Sequence, residues 1–112
     1  LRELGSPGKS GSVFFLTDDD RFIIKTMTKA EMLMLRRILL SYYRHITTHP
    51  DTLITKFYGL HRVKPHRGRR VRFVVMGNLL HTAQPVDRLY DLKGSTQGRQ
   101  TPLDKRISPT TV

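Results

Sequence analysis

A loop rich in glycine and serine precedes a lysine at the end of an apolar strand, and together these residues could bind phosphate. The loop covers residues 6–12 and runs into the apolar residues 13–16, while a second apolar run, residues 22–24, leads to Lys25. Glycine lets a backbone approach a phosphate group closely, and a lysine ammonium supplies the opposing charge. The order of loop, strand and lysine therefore predicts a nucleotide-phosphate site.

The sequence Gly-Lys-Ser at residues 8–10 ends like a P-loop, but the rest of that motif is missing. A P-loop needs a glycine five positions before Gly8, where this chain has Glu3. A helix should also follow, whereas residues 13–16 have the composition of a strand. A strand–loop–strand cradle, as kinases place over ATP phosphates, fits better. A flexible turn without a ligand is an equal alternative for this segment alone.

Glu31 has two candidate roles. In a strand with period two, Lys25 lies on the same face as Ile23, where it needs an anion unless its stem carries the ammonium to water. Glu31 is the acid that the following helix offers for such an ion pair. It also stands three residues after Thr28, which is the spacing of a helix capping box. The cap is the slightly preferred interpretation.

Two hairpins and one helix are predicted from the spacing of apolar residues. Residues 12–26 and 53–76 have the composition of paired strands around polar turns. Between them, apolar residues at steps of three and four predict a helix that begins after Thr28 and ends before Pro50. The apolar stripe consists of Met32, Leu35, Leu39, Tyr42 and Ile46. A further strand is expected at residues 89–93. The predicted fold class is α+β, an antiparallel sheet with one main helix.

The chain is strongly basic, with 20 Lys and Arg against 9 Asp and Glu and a net charge of +11. Six of these cations fall within residues 62–72, in the second hairpin, and would attract an anionic membrane surface or nucleic acid. Aromatic residues that could stack on bases are missing from residues 61–72, so nucleic acid is not the expected partner. A non-catalytic basic module that binds membrane or nucleic acid is the alternative function.

Other kinds of site are disfavoured. The chain has no cysteine, and its five histidines are scattered, so no metal site is expected. No run approaches the roughly 20 apolar residues of a membrane span. The sequence opens on Leu1 rather than methionine, which suggests a fragment.

Five segments in this order resemble the phosphatidylinositol phosphate kinases, most closely the phosphatidylinositol 4-phosphate 5-kinases. They are Ser-Pro-Gly-Lys-Ser-Gly-Ser at residues 6–12, Ile-Lys-Thr at 24–26, Lys-Phe-Tyr-Gly-Leu at 56–60, Val-Val-Met-Gly-Asn at 74–78, and Tyr-Asp-Leu-Lys-Gly-Ser-Thr at 90–96. The resemblance implies that residues 1–99 form an incomplete N-terminal ATP-binding lobe. Residues 100–112 are expected to be an irregular tail.

The resemblance also implies the role of individual residues. The ATP-binding set is Gly8, Lys9, Ser10, Gly11, Ser12, Lys25, Met76, Asn78 and Leu79, of which the last three would belong to a hinge that meets the adenine mainly through backbone groups. Lys93 and Arg99 would bind the lipid phosphate. The membrane-facing residues would be Arg67, Arg69, Arg70 and Arg72.

The implied cofactors are ATP and Mg²⁺, with the catalytic aspartate and the magnesium ligands outside this chain. The implied partner is a phosphoinositide in an anionic membrane, and the implied location is cytoplasmic, peripheral at the inner face of the plasma membrane.

Overall fold

A computed structural model describes residues 1–5 and 11–99 of the 112-residue chain. In chain order its elements are β1 (Arg2–Leu4), β2 (Phe14–Leu16), β3 (Phe22–Met27), α1 (Lys29–Thr48), β4 (Phe57–Val63) and β5 (Val71–Gly77). The strands form one antiparallel sheet in the order β1-β2-β3-β5-β4. The predicted α+β class, with one helix and an antiparallel sheet, is confirmed.

The strand register fixes which side chains share a face of the sheet. Lys25 of β3 pairs with Phe14 of β2 and with Val74 of β5, while Ile23 pairs with Leu16 and Met76. The side chains of paired residues point to the same face of a sheet, and so do the side chains of every second residue along a strand. These six side chains therefore lie on one face. Leu16 and Val74 on this face are buried, as is Leu35 of the helix. The small core therefore lies on the face that carries Lys25.

The helix begins and ends where the sequence predicts. Thr28 is the N-cap: its hydroxyl accepts a hydrogen bond from the Glu31 N–H at 3.1 Å, and the Glu31 carboxylate accepts one from the Thr28 N–H at 2.8 Å. This reciprocal pair satisfies two donors that the first helical turn leaves unpaired. Of the predicted apolar stripe, Leu35 is buried, but Leu39 is 49% exposed.

Tyr42 attaches the helix to the sheet. Its hydroxyl donates to the Thr55 carbonyl at 2.8 Å and accepts from the Phe57 N–H at 2.9 Å, and its ring contacts the Phe57 ring at a centroid distance of 5.2 Å. The hydroxyl therefore pairs two backbone groups of the segment that leads into β4.

Three details of the predicted elements differ from the structure. Strand β1 was not predicted, because three residues are too few to show an alternating pattern. Residues 53 and 54, expected to start the second hairpin, precede β4, and Leu53 is fully exposed. Residues 89–93, expected as a further strand, are not in a strand. An extended segment becomes a strand only when another strand pairs with it, and no strand is present among residues 82–99.

The chain divides into two compact units, Leu1–His81 and Thr82–Val112. The first contains all the strands and the helix that are found among the described residues. The second, described over residues 82–99, consists of bends and turns. The predicted lobe, residues 1–99, spans the first unit and part of the second, and its boundary stays a prediction, as does the tail at residues 100–112, which lies outside the described residues. Among residues 1–5 and 11–99, no helix combines the length and the hydrophobicity that a membrane span requires.

The Tyr42 hydroxyl gives a first prediction. Replacing Tyr42 with Phe keeps the ring contact but leaves the Thr55 carbonyl and the Phe57 N–H without this partner, so the free energy of unfolding should fall by about 1–3 kcal/mol. Urea denaturation measures the change. Tyr43→Phe is the matched control, because Tyr43 is 64% exposed and should be nearly neutral. Equal effects of the two substitutions would contradict the proposed anchoring role.

Asp19 gives a second prediction, on pH. Its carboxylate accepts hydrogen bonds from the Thr17 hydroxyl at 2.7 Å and the Arg21 N–H at 3.1 Å, and these bonds lower the pKa of Asp19 from its usual 3.8. A carboxyl group whose pKa is lower in the folded state stabilises the fold above its unfolded pKa. That contribution is lost as the pH falls through the folded pKa.

Asp19→Asn should therefore destabilise the chain at neutral pH, because a neutral amide oxygen accepts more weakly than a carboxylate. The difference from the natural chain should vanish in acid, where Asp19 is protonated. Thermal unfolding across the acidic range measures it, with Asp51→Asn as a control for the loss of one exposed carboxylate. A difference that persists unchanged below the folded pKa would refute the assignment.

Candidate functional site

The Lys25 ammonium and the Glu31 carboxylate lie close together at the start of the helix. Lys25 Nζ is 3.9 Å from Glu31 Oε1, while Glu31 Oε2 accepts the hydrogen bond from Thr28. Each carboxylate oxygen therefore has its own partner. The two roles weighed for Glu31 from the sequence occur together, since the cap holds the carboxylate beside the lysine.

Apolar side chains surround the stem of Lys25. Its two cross-strand neighbours are Phe14, whose ring centroid is 6.0 Å from Lys25 Nζ, and Val74, which is 2% exposed. The Lys25 side chain itself is 27% exposed. An ammonium at such a position needs an anion nearby, and at 3.9 Å the Glu31 contact leaves it able to bind a second anion from solvent.

The end of the glycine-serine loop is fixed next to Lys25. Val13 N–H donates to the Thr26 hydroxyl at 2.8 Å, and Thr26 N–H donates to the Val13 carbonyl at 3.0 Å. Ser12 is buried, and Gly11 has a φ of +69°, which favours glycine. The other residues predicted for this loop, Gly8, Lys9 and Ser10, lie outside the described residues.

Thr26 is a residue that sequence reasoning missed. It joins the loop end to β3 immediately after Lys25, so the loop and the lysine are held by adjacent residues of one strand. The signal for this role was the position of Thr26 in the Ile-Lys-Thr segment, because a threonine hydroxyl in a strand can bond a backbone group of the adjacent segment.

The predicted hinge residues follow β5. Met76 is two residues after Val74 and therefore lies on the Lys25 face, about 7 Å further along the strand. Asn78 is half-buried and Leu79 is exposed. The side chain of Asn78 is engaged within the protein, since its amide donates to the Asp20 carbonyl at 2.8 Å and its oxygen accepts from the Leu80 N–H at 3.1 Å.

The predicted membrane residues divide into two groups. Arg67, Arg69 and Arg70 are exposed in the connection between β4 and β5. Arg72 lies within β5, opposite Arg62 of β4, and is half-buried. Like charges that face each other across two strands are unfavourable. The hairpin therefore carries a positive potential that a bound anion would relieve.

The two predicted lipid-phosphate residues belong to the second unit. Lys93 forms an ion pair with Asp91, and Arg99 Nε donates to the Ser95 hydroxyl at 2.9 Å. Both side chains are exposed and keep further donors free for an anion. Among residues 1–5 and 11–99, no group of three or more His, Asp or Glu side chains is placed to hold a metal ion.

Comparison with known proteins gives a consistent result. The family model described as phosphatidylinositol-4-phosphate 5-kinase matches residues 1–112. Phosphatidylinositol 4-phosphate 5-kinase 8 of Arabidopsis thaliana is 54% identical over 112 residues, which is 100% of this chain. Phosphatidylinositol 4-phosphate 5-kinase 9 of the same plant is 60% identical over 99 residues, 88% of the chain. A probable phosphatidylinositol phosphate kinase of Dictyostelium discoideum is 55% identical over 108 residues, or 96%.

The chain is much shorter than these relatives. It spans 15% of the length of the first Arabidopsis protein, 12% of the second and 15% of the Dictyostelium protein. Because the family model covers the chain from end to end, and the segments that carry the resemblance lie within the matched region, this chain belongs to the phosphatidylinositol-4-phosphate 5-kinase family.

Proposed function

We propose that this chain is the ATP-binding part of a phosphatidylinositol 4-phosphate 5-kinase. The reaction would transfer the γ-phosphoryl group of ATP to the 5-hydroxyl of phosphatidylinositol 4-phosphate, at the cytoplasmic face of the plasma membrane. The observation that carries the proposal is the Lys25–Glu31 contact at 3.9 Å, which orients an ammonium beside the end of the glycine-serine loop.

Each group in this arrangement has a proposed task. Lys25 would bind the phosphates of ATP, and the backbone of residues 8–12 would cover them. Residues 76–79 would meet the adenine, since Met76 shares the sheet face of Lys25. Phosphoryl transfer depends mainly on positioning and on neutralising phosphate charge, which an oriented lysine supplies.

The described residues suit the binding of ATP better than the binding of its magnesium ion. The half-buried ammonium and the apolar face suit a nucleoside triphosphate. The described residues offer no cluster of carboxylates or imidazoles for a metal, so we assign no magnesium ligand to this chain. Magnesium would neutralise phosphate charge from ligands elsewhere in the kinase.

The lipid would approach through the basic residues. We assign the lipid phosphate to Lys93 and Arg99, and the anionic membrane surface to Arg67, Arg69, Arg70 and Arg72. The three loop arginines in this set are exposed and lack a carboxylate partner in the described part of the chain. A basic residue near an anionic bilayer contributes about 1 kcal/mol of attraction.

Substitution of Lys25 tests the ATP site. Lys25→Ala should weaken ATP binding by at least about tenfold, because a charge-assisted hydrogen bond to phosphate contributes about 1.5–3 kcal/mol. Isothermal titration of ATP into the 112-residue chain measures the affinity. Lys29→Ala is the matched control, because Lys29 is exposed at the start of the helix. Glu31→Gln, which keeps an acceptor for the cap but removes the charge, should weaken binding less than Lys25→Ala does.

The alternative of a basic module without a nucleotide site makes the opposite prediction. In that case Lys25→Ala would bind ATP as the natural chain does. Circular dichroism would first establish that the variants retain the fold, so that a lost affinity is not a lost structure.

Removal of loop charges tests the membrane surface. The triple substitution Arg67→Ala, Arg69→Ala and Arg70→Ala should reduce binding to phosphatidylserine vesicles by more than about tenfold, with an effect that weakens as salt is added. Vesicle sedimentation measures it. The matched control removes the same charge from the helix, with Arg36→Ala, Arg37→Ala and Arg44→Ala. Equal losses would mean that net charge alone, and not the hairpin, drives membrane binding.

A further inference from the structure

The side chain of Asn78 connects two segments that are far apart in sequence. Its Nδ2 donates to the Asp20 carbonyl at 2.8 Å, across 58 residues, while its Oδ1 accepts from the Leu80 N–H at 3.1 Å. The Asn78 N–H donates to the Arg21 carbonyl at 2.9 Å. Since one end of the amide meets a carbonyl and the other an N–H, the hydrogen bonds fix which way the amide points.

The turn between β2 and β3 presents these carbonyls in a defined position. Asp20 has a φ of +59°, an uncommon conformation for a residue other than glycine, and its N–H donates to the Thr17 carbonyl at 2.9 Å. Thr17 N–H in turn donates to the Phe22 carbonyl at 3.0 Å. The carbonyls of residues 20 and 21 therefore reach Asn78 from a closed turn rather than from a mobile loop.

The segment after β5 is also held from its other side. Gly77 N–H donates to the Lys56 carbonyl at 2.9 Å, and a side chain at Gly77 would meet the ring of Tyr58 at 3.3 Å. Tyr58 packs edge-on against Phe22, at a centroid distance of 5.3 Å. Residues 77–80 thus lie between the start of β4 and the β2–β3 turn, and Asn78 makes the contacts on the turn side.

We infer that Asn78 is a positioning residue that sets how well the proposed nucleotide site distinguishes adenine from bare phosphate. Its amide fixes the backbone of residues 78–80 without having to touch the nucleotide. This inference rests on the proposed function, in which these residues meet the adenine. The β2–β3 turn contacts no ligand in the proposed function, yet it would influence adenine recognition through the side chain of Asn78.

The two hydrogen bonds of Asn78 require a side chain that both donates and accepts. Aspartate has nearly the same shape and keeps an acceptor for the Leu80 N–H, but it has no donor for the Asp20 carbonyl. It would also add negative charge beside a turn that already contains Asp18, Asp19 and Asp20. Asn78→Asp therefore breaks the link to the turn with the smallest change in volume.

The experiment compares ATP with inorganic tripolyphosphate as ligands of the natural chain and of Asn78→Asp, by isothermal titration. The expected result is a loss of at least about tenfold in ATP affinity, with tripolyphosphate affinity unchanged within about twofold. Gln84→Glu, the same amide-to-acid change at an exposed residue, should leave both affinities unchanged. Hydrogen exchange should show faster exchange of the backbone amide of residue 78, which donates to the Arg21 carbonyl of the turn, in Asn78→Asp alone, with or without ligand.

Three results would overturn the inference. Unchanged ATP affinity in Asn78→Asp would show that the link does not affect base recognition, while leaving the ATP site itself intact. Equal losses for ATP and tripolyphosphate would show a general structural defect. If the natural chain bound ATP no more tightly than tripolyphosphate, the adenine contact of the proposed function would fail. The exchange of the residue 78 amide would then report only whether Asn78 joins the two segments.

Discussion

The site depends on the carboxylate of Glu31 serving two partners. A lysine on an apolar face of a sheet is unfavourable unless an anion lies nearby, and a helix needs acceptors for its first N–H groups. One oxygen of Glu31 accepts from the N-cap and the other lies 3.9 Å from Lys25. The start of the helix and the position of the ammonium are consequently set by the same group, so a shift of one would displace the other.

This arrangement explains how so small a sheet positions several groups. Lys25 and Thr26 are adjacent in β3, and their side chains leave opposite faces of the strand. Lys25 faces the helix and Glu31, while the Thr26 hydroxyl accepts from Val13 at the end of the loop. At the far end of the same strand, Phe22 and the preceding turn contact β4 and Asn78. Strand β3 and the turn before it therefore set the relative positions of the loop end, Lys25 and the segment after β5.

The elements that could be predicted from the sequence are those whose determining residues are close together in the chain. The helix start followed from Thr28 and Glu31 three residues apart, and the first hairpin from its apolar runs around an acidic turn. Strand β1 is too short to show a pattern, and apolar character at Leu53 did not make it part of a strand. The role of the Asn78 side chain was not predicted, because its partner is 58 residues away. The two roles of Glu31 were treated as alternatives, although a carboxylate has two oxygens and can serve both.

The role of Lys25 can be tested by labelling the chain with an acyl-phosphate derivative of ATP, which transfers its acyl group to a lysine that lies beside the nucleotide phosphates. Mass spectrometry then identifies the modified lysine. If Lys25 lies beside the ATP phosphates, it should be modified ahead of Lys29 and Lys56, and excess ATP should prevent the modification. Lys9 belongs to the same proposed site, so its labelling would be compatible with the claim. Labelling that favours a lysine outside the proposed site, or labelling of Lys25 that ATP does not reduce, would contradict the claim that Lys25 lies at an ATP-phosphate site.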